Sequence, residues 1–146
     1  MHILIVEADY YKDLQAELIK GATAAIEAAG GTYEVVSVPG ALEIPGAIAM
    51  AAQAQNTDMS NRYDGYVALG VVIRGETTHY EIVSEESARA IMNLTTVDKL
   101  CIGNGIQTVE NGDQAWARCK VADKNKGGGA GQAAIAMIEL KAKLSS

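Results

Sequence analysis

Phenylalanine is absent from this chain, tryptophan occurs once, and six tyrosines bring the aromatic share only to 5%. The core therefore has to be filled by Ile, Val, Leu and many Ala. The two cysteines, Cys101 and Cys119, lack metal-type spacing and read as free thiols of a reducing compartment. Positive charge is scarce: 12 Lys and Arg against 18 Asp and Glu leave a net charge of −6. That balance argues against nonspecific binding to a nucleic-acid backbone, although a local basic pocket could still hold a phosphate. No apolar run approaches the roughly 18 residues of a membrane span. No targeting segment is expected ahead of the first strand at His2. A cytoplasmic protein with no membrane or nucleic-acid partner is the expectation. A Walker loop, a G-x-G-x-x-G after the first strand, a His/Cys metal cluster and a G-x-S-x-G elbow are all missing. Their absence speaks against a tightly held dinucleotide, a structural metal and acyl-serine chemistry.

What is present is ordinary globular material, 49% apolar and 21% charged over 146 residues. That length suits one domain, 1–146, burying roughly two-thirds of its unfolded surface. HILIV (His2 to Val6) has the continuous β-branched character of a strand covered on both faces. From Lys12 to Ala29, Leu14, Leu18, Ala22, Ala25 and Ile26 recur at helical spacing, and Gly30-Gly31 supplies a stop. Tyr33 to Val38 reads as a second strand closed by Pro39-Gly40, and Pro45 fits the first turn of a helix running to about Gln55. Residues 56–62 (NTDMSNR) form a polar loop, Tyr66 to Ile73 a third strand and Tyr80 to Met92 a third helix. Leu100 to Gly103 suggests a short fourth strand. Helices over Gln114 to Cys119 and Ala130 to Leu144 follow, joined by a Lys- and Gly-rich loop. Alternation of this kind implies an α/β fold with a parallel sheet, helices on both faces and right-handed crossovers.

A parallel sheet brings the carboxyl ends of its strands to one edge, where ligands bind in open α/β folds. Four loops are expected there: Glu7 to Tyr11, Pro39 to Glu43, Arg74 to His79 and Asn104 to Thr108. The richest stretch is Ala68 to Glu81, where an unbroken apolar run empties into Arg74-Gly75-Glu76-Thr77-Thr78-His79. His79 could exchange a proton near neutral pH, or simply begin a helix on the surface. Gly75, Glu76 and Thr77 precede that helix start, where unpaired N–H groups attract an anion. Thr77 or Thr78 would serve equally well there as a cap. In Pro39-Gly40-Ala41-Leu42-Glu43, Gly40 could admit a ligand close to the backbone, or the segment is a plain turn with Glu43 at a helix start. Tyr10 offers a stacking ring or a cover for the sheet edge. Arg118 and Lys126 are cations that could hold a phosphate or remain solvated.

Taken together, these strings resemble the lumazine synthase family over nearly the whole chain. The matching segments are LIVEADYY (Leu4 to Tyr11), Gly21-Ala22, VPGALEIP (Val38 to Pro45), YDGYVALGVVIRGETTHYEIV (Tyr63 to Val83), NGIQTVENGDQAWAR (Asn104 to Arg118) and NKGG (Asn125 to Gly128). The strings P-G-A-x-E-x-P and G-x-V-I-R-G-E-T-x-H are highly specific in combination. The resemblance implies a flavodoxin-like three-layer α/β/α sandwich with a four-stranded parallel sheet in order 2-1-3-4. It implies a transferase of riboflavin biosynthesis that needs no metal or organic cofactor. Such an enzyme condenses 5-amino-6-(ribitylamino)uracil with 3,4-dihydroxy-2-butanone 4-phosphate to 6,7-dimethyl-8-ribityllumazine.

By the same resemblance, Tyr10 stacks on the pyrimidine, Ala41, Leu42 and Glu43 hold the ribityl chain, and Val71, Val72 and Ile73 present backbone to the uracil edge. Gly75, Glu76 and Thr77 form the phosphate-side turn, and His79 is the acid/base. Arg118 binds phosphate, with Lys126 near the same pocket. Asn104, Arg118 and Lys126 come from a neighbouring subunit, so a homo-oligomer, a pentamer or an assembly of pentamers, is implied. The chain departs from the family pattern at Asp9-Tyr10, where many members have Arg-Phe, and at Asn104, where many place a second aromatic ring. Gln107 is polar where an apolar residue is common. The Asn104 departure keeps open a low-turnover shell or a homologue that binds flavin-like ligands. A signalling receiver domain, suggested by Glu7 and Asp9 after the first strand, lacks a phosphoacceptor Asp after the third.

Overall fold

The computed structural model describes residues 1–58 and 62–146. Its elements follow in the order β1 (His2–Ala8), α1 (Lys12–Ala28), β2 (Thr32–Val38), a short 3-10 turn (Ala41–Glu43), α2 (Ile44–Asp58) and β3 (Gly65–Ile73). They continue with α3 (His79–Thr96), β4 (Ile102–Val109), α4 (Gly112–Cys119) and α5 (Lys126–Ser145). The four strands form one parallel sheet in the order β2-β1-β3-β4, as the resemblance implied. Of the loop expected at 56–62, residues 56–58 belong to α2, which runs past Gln55, and residues 59–61 lie outside the described residues.

Side-chain alternation divides the core into two halves. Ile3, Ile5, Val67 and Leu69 project towards α1 and α5, meeting Leu18, Ile26 and Ala134. Leu4, Val6, Tyr66 and Ala68 project the other way, towards Ile44 and Ile48 of α2 and Val83 and Ile91 of α3. Strand β3 is buried at every position but its last, which accounts for its unbroken apolar sequence. Both thiols lie inside; burial pushes the Cys119 thiol up to about 11, with Glu17 adding to the shift. No helix among the described residues is long and apolar enough to cross a membrane.

Several boundaries differ from the sequence expectation, and packing explains the largest differences. Strand β4 runs on to Val109 instead of ending at Gly103, so Asn104 to Thr108 are strand residues and not a loop. Gly103 therefore falls inside the strand. It is there because α5 lies against it: a Cβ on Gly103 would sit 1.8 Å from the Ala130 carbonyl oxygen. Helix α5 likewise begins at Lys126 and not at Ala130, so the Lys- and Gly-rich segment supplies its first turn. A Cβ on Gly127 would fall 2.2 Å from the Leu18 carbonyl oxygen of α1, and Asn125 caps the turn by accepting from the Gly128 N–H at 3.1 Å. Strand β1 extends to Ala8, and α3 spans His79–Thr96 where Tyr80 to Met92 was expected. Helix α4 starts at Gly112 because Asn111 accepts from the Gln114 N–H at 2.9 Å.

The amino ends of three strands are joined by polar contacts. The His2 N–H donates to Asp64 Oδ2 at 2.7 Å, and Arg62 donates to Glu34 at 2.8 Å. The Tyr63 hydroxyl also donates to Glu34, and this bond, with the Arg62 guanidinium, holds the Glu34 carboxyl down at about 2.

Gly103→Ala should lower stability by about 3 kcal/mol or more because backbone must move. Gly129→Ala, with open space at its Cβ, should raise it by up to ~1 kcal/mol; urea midpoints of the two variants check both. Glu34 has a folded pKa below its ordinary 4.5, so its contribution is complete above that pH and disappears as pH falls towards about 2. Glu34→Gln should flatten that part of the acid-unfolding profile; an unaltered profile would show that the cluster adds no stability.

Candidate active site

At the carboxyl edge of the sheet lies a cleft of about 370 Å³, lined by Ala8, Tyr10, Tyr11, Gly40, Ala41, Leu42, Glu43, Val71, Val72, Ile73, His79 and Val83. Its volume lies within the usual range for small-molecule sites. A larger cavity of about 640 Å³ opens at the opposite edge, between α2, α3 and α5. Two of the polar side chains there are already engaged: the Tyr66 hydroxyl donates to Gln55 Oε1 at 3.1 Å and Lys141 Nζ to the Lys99 carbonyl at 2.9 Å. The smaller cleft is the candidate, because four strand-to-helix connections converge on that edge and bring their polar groups to it.

The cleft floor is the end of β3. Val71 and Val72 are buried and Ile73 is half-buried, while Ala8 ends the neighbouring β1. One wall is the 3-10 turn, with Ala41 buried and Leu42 and Glu43 exposed. Gly40 is extended there, and a Cβ at that position would approach Glu43 Oε1 to 3.1 Å, so glycine leaves room for the carboxylate. Tyr10 stands on the rim with 73% of its surface exposed and its ring edge-on to Tyr11 at 4.9 Å. Opposite, His79 opens α3, its backbone N–H reaching Thr77 Oγ1 at 3.3 Å, with Val83 one turn further on. The result is an apolar floor with an exposed ring, an imidazole and a carboxylate around it.

No Lys or Arg is among the lining residues. Arg74, the first residue beyond β3, turns away from the cleft. Its Nε donates to Glu110 at 2.8 Å, its Nη1 donates to Glu81, and its guanidinium lies 4.3 Å from the centre of the Tyr80 ring. The Arg74 bond pulls the Glu81 carboxyl below the ordinary range. Asp9 pairs with Lys12 at 2.9 Å and does not line the cleft. Among the described residues no His, Cys, Asp and Glu cluster could hold a metal ion.

The structure thus gathers Tyr10, Ala41, Leu42, Glu43, Val71, Val72, Ile73 and His79 into one place. Gly75, Glu76 and Thr77 form the exposed loop between Ile73 and His79, beside the lining but not in it. Asn104, Arg118 and Lys126 belong to β4, α4 and α5, and none of them lines the cleft. Asn104 accepts from the Ile106 N–H at 3.0 Å, Arg118 donates to the Gln114 carbonyl at 3.1 Å, and Lys126 is exposed. Ala8, Tyr11 and Val83 line the cleft without having been singled out. Val83 could have been found as the residue four positions after His79 on one helix face.

The family profile described as 6,7-dimethyl-8-ribityllumazine synthase matches residues 1–142. The chain belongs to that family. A 6,7-dimethyl-8-ribityllumazine synthase from Agrobacterium fabrum is 59% identical over 143 residues, 98% of this chain and 96% of the relative. A 6,7-dimethyl-8-ribityllumazine synthase 1 from Rhizobium meliloti is 55% identical over 146 residues, 100% of this chain and 95% of its own length. The protein of the same family name from Bartonella henselae is 57% identical over 141 residues, 97% of this chain and 88% of its own. In this lumazine synthase family member, the VPGALEIP and GVVIRGETTH segments supply Gly40 to Glu43, Val71 to Ile73 and His79 of the cleft lining.

Proposed function

We propose that the cleft condenses 5-amino-6-(ribitylamino)uracil with 3,4-dihydroxy-2-butanone 4-phosphate, releasing phosphate and water and forming 6,7-dimethyl-8-ribityllumazine in riboflavin biosynthesis. The observation that carries this reading is the convergence of Glu43, His79, Tyr10 and the β3 end on one cleft in a chain that belongs to the family over nearly its whole length. The transferase works in a single domain, 1–146, without metal or organic cofactor.

The pyrimidine stacks on Tyr10 and lies against the backbone of Val71, Val72 and Ile73. Ala41 and Leu42 flank the ribityl chain and Glu43 accepts hydrogen bonds from its hydroxyls. The substrate amine attacks the ketone and a water leaves to give an imine; phosphate is then eliminated, the ring closes and a second water leaves. His79 moves protons at these steps. Gly75, Glu76 and Thr77 face the phosphate. A phosphate dianion needs more than backbone donors, above all beside the Glu76 carboxylate. The lining supplies no cation and Arg74 is already paired with two carboxylates. Both facts support a site completed by Arg118, Lys126 and Asn104 of a neighbouring subunit, in a homopentamer or an assembly of pentamers. Holding two reactants together then supplies much of the acceleration.

Mixing the two substrates with the purified oligomer and following lumazine absorbance tests the reading. A rate no greater than the uncatalysed background in a folded oligomer contradicts it, and would leave a shell or ligand-binding homologue. His79→Ala should reduce kcat about 10- to 100-fold with little loss of pyrimidine binding. Arg118→Ala should raise KM for the phosphate substrate about tenfold or more; unchanged saturation kinetics would remove Arg118 from the site.

A further inference from the structure

We propose that Arg74 is a positioning residue for this reaction: it fixes the first turn of α3, and hence His79, against the ends of β3 and β4. The inference rests on the function proposed above and concerns how its acid/base is held. Five residues separate Ile73, on the cleft floor, from His79, and they form an exposed loop with open space around Gly75. A helix beginning after such a loop is ordinarily held by a side-chain cap. Thr78, at the cap position, makes no side-chain capping bond, and next to it the His79 N–H donates to Thr77 Oγ1 at 3.3 Å. The first turn of α3 therefore starts with weak local support.

Arg74 supplies the missing support from outside the turn. Its backbone N–H donates to the Val109 carbonyl at 2.9 Å, which carries the β3–β4 ladder one residue past the strand. Its side chain then ties the end of β3 to α3 and to the residue after β4. Nε holds Glu110 just after β4, Nη1 holds Glu81 in the first turn of α3, and the guanidinium plane covers the Tyr80 ring. Tyr80 and Glu81 directly follow His79, whereas His79 and Val83 face the cleft. The clamp thus grips that turn away from the lining and leaves its other side to the substrate. Two carboxylates neutralise the guanidinium, so it does not compete for the substrate phosphate. A lysine cannot reproduce the arrangement, because one ammonium cannot offer two separated planar donors and a flat face to the ring.

The test compares wild type, Arg74→Ala, Arg74→Lys and Glu81→Gln as assemblies matched by light scattering. Arg89→Ala, which removes a surface ion pair with Glu86 further along α3, is the control. Arg74→Ala should lower kcat about tenfold or more while KM for the pyrimidine changes by less than about threefold. Arg74→Lys should recover less than about a third of the wild-type rate. Amide hydrogen exchange in a peptide spanning residues 79–83 should speed up about tenfold in Arg74→Ala, with α1 and α5 unchanged. Glu81→Gln keeps the β4 contact, and should show a smaller loss of kcat with faster exchange in the same peptide; it serves if Arg74→Ala does not assemble. A kcat within about twofold of wild type in both Arg74→Ala and Glu81→Gln overturns the proposal. So does a fall in kcat with no change in exchange, or a rise in KM with kcat unchanged. If wild type makes no lumazine, the proposed function fails on its own. The exchange comparison still decides whether Arg74 holds the turn.

Discussion

Strand β3 is hydrogen-bonded to β1 on one edge and β4 on the other, with helices over both faces. A backbone held in this way has almost no freedom, so whatever leaves its carboxyl end is delivered to a fixed point. Val71, Val72 and Ile73 lie past the last β1 pair, at Leu69, and stay in register with Gln107, Thr108 and Val109 of β4, so the floor continues that frame along one edge. The site inherits its precision from the strand and its chemistry from the loops. Ala8 and the 3-10 turn depend on the same frame, since β1 is fixed by β3 and carries β2 in register beside it.

Charge is distributed with the same economy. Around the cleft the available groups are a carboxylate, an imidazole and two tyrosine rings, while the nearest arginine in sequence is taken up by Glu81 and Glu110. Such a surface suits a neutral heterocycle with a polyhydroxyl chain, whose donors Glu43 can accept. A phosphate is poorly served by it. In a chain of net charge −6, a cation brought by a second subunit would also restrict phosphate binding to the assembled state.

The parts of this fold that could be read from sequence are those with a local cause. Strand β3 showed as a continuous apolar run because parallel strands are covered on both faces, and α1 showed through its 3.6-residue period. His79 and the residues before it stood out because polar groups follow so abruptly on that run. Strand β4 was cut short and α5 begun late for a common reason. Gly103 and Gly127 are required by the approach of α5 to β4 and α1, a tertiary contact that no local pattern records. The order 2-1-3-4 came from the resemblance, since one sequence carries no signal for which strands are neighbours. In the site, Tyr10, Glu43 and His79 were legible as polar or aromatic residues at strand ends. Ala8 was not, being a small apolar residue whose role is only to shape a wall, and Val83 is reached only through its helical spacing from His79. The Arg74 clamp was equally hidden, because Glu81 and Glu110 meet it only after folding.

The proposed function requires a site shared between subunits, with His79 on one side and Arg118 on the other. Subunit mixing tests this most directly. His79→Ala and Arg118→Ala proteins are unfolded together in equal amounts, reassembled, and assayed for lumazine formation beside each parent treated alike. Random mixing predicts about a quarter of wild-type turnover, since half the subunits keep His79 and half of their neighbours keep Arg118. Activity no greater than the mean of the two parents, in assemblies shown to be mixed, would contradict a shared site.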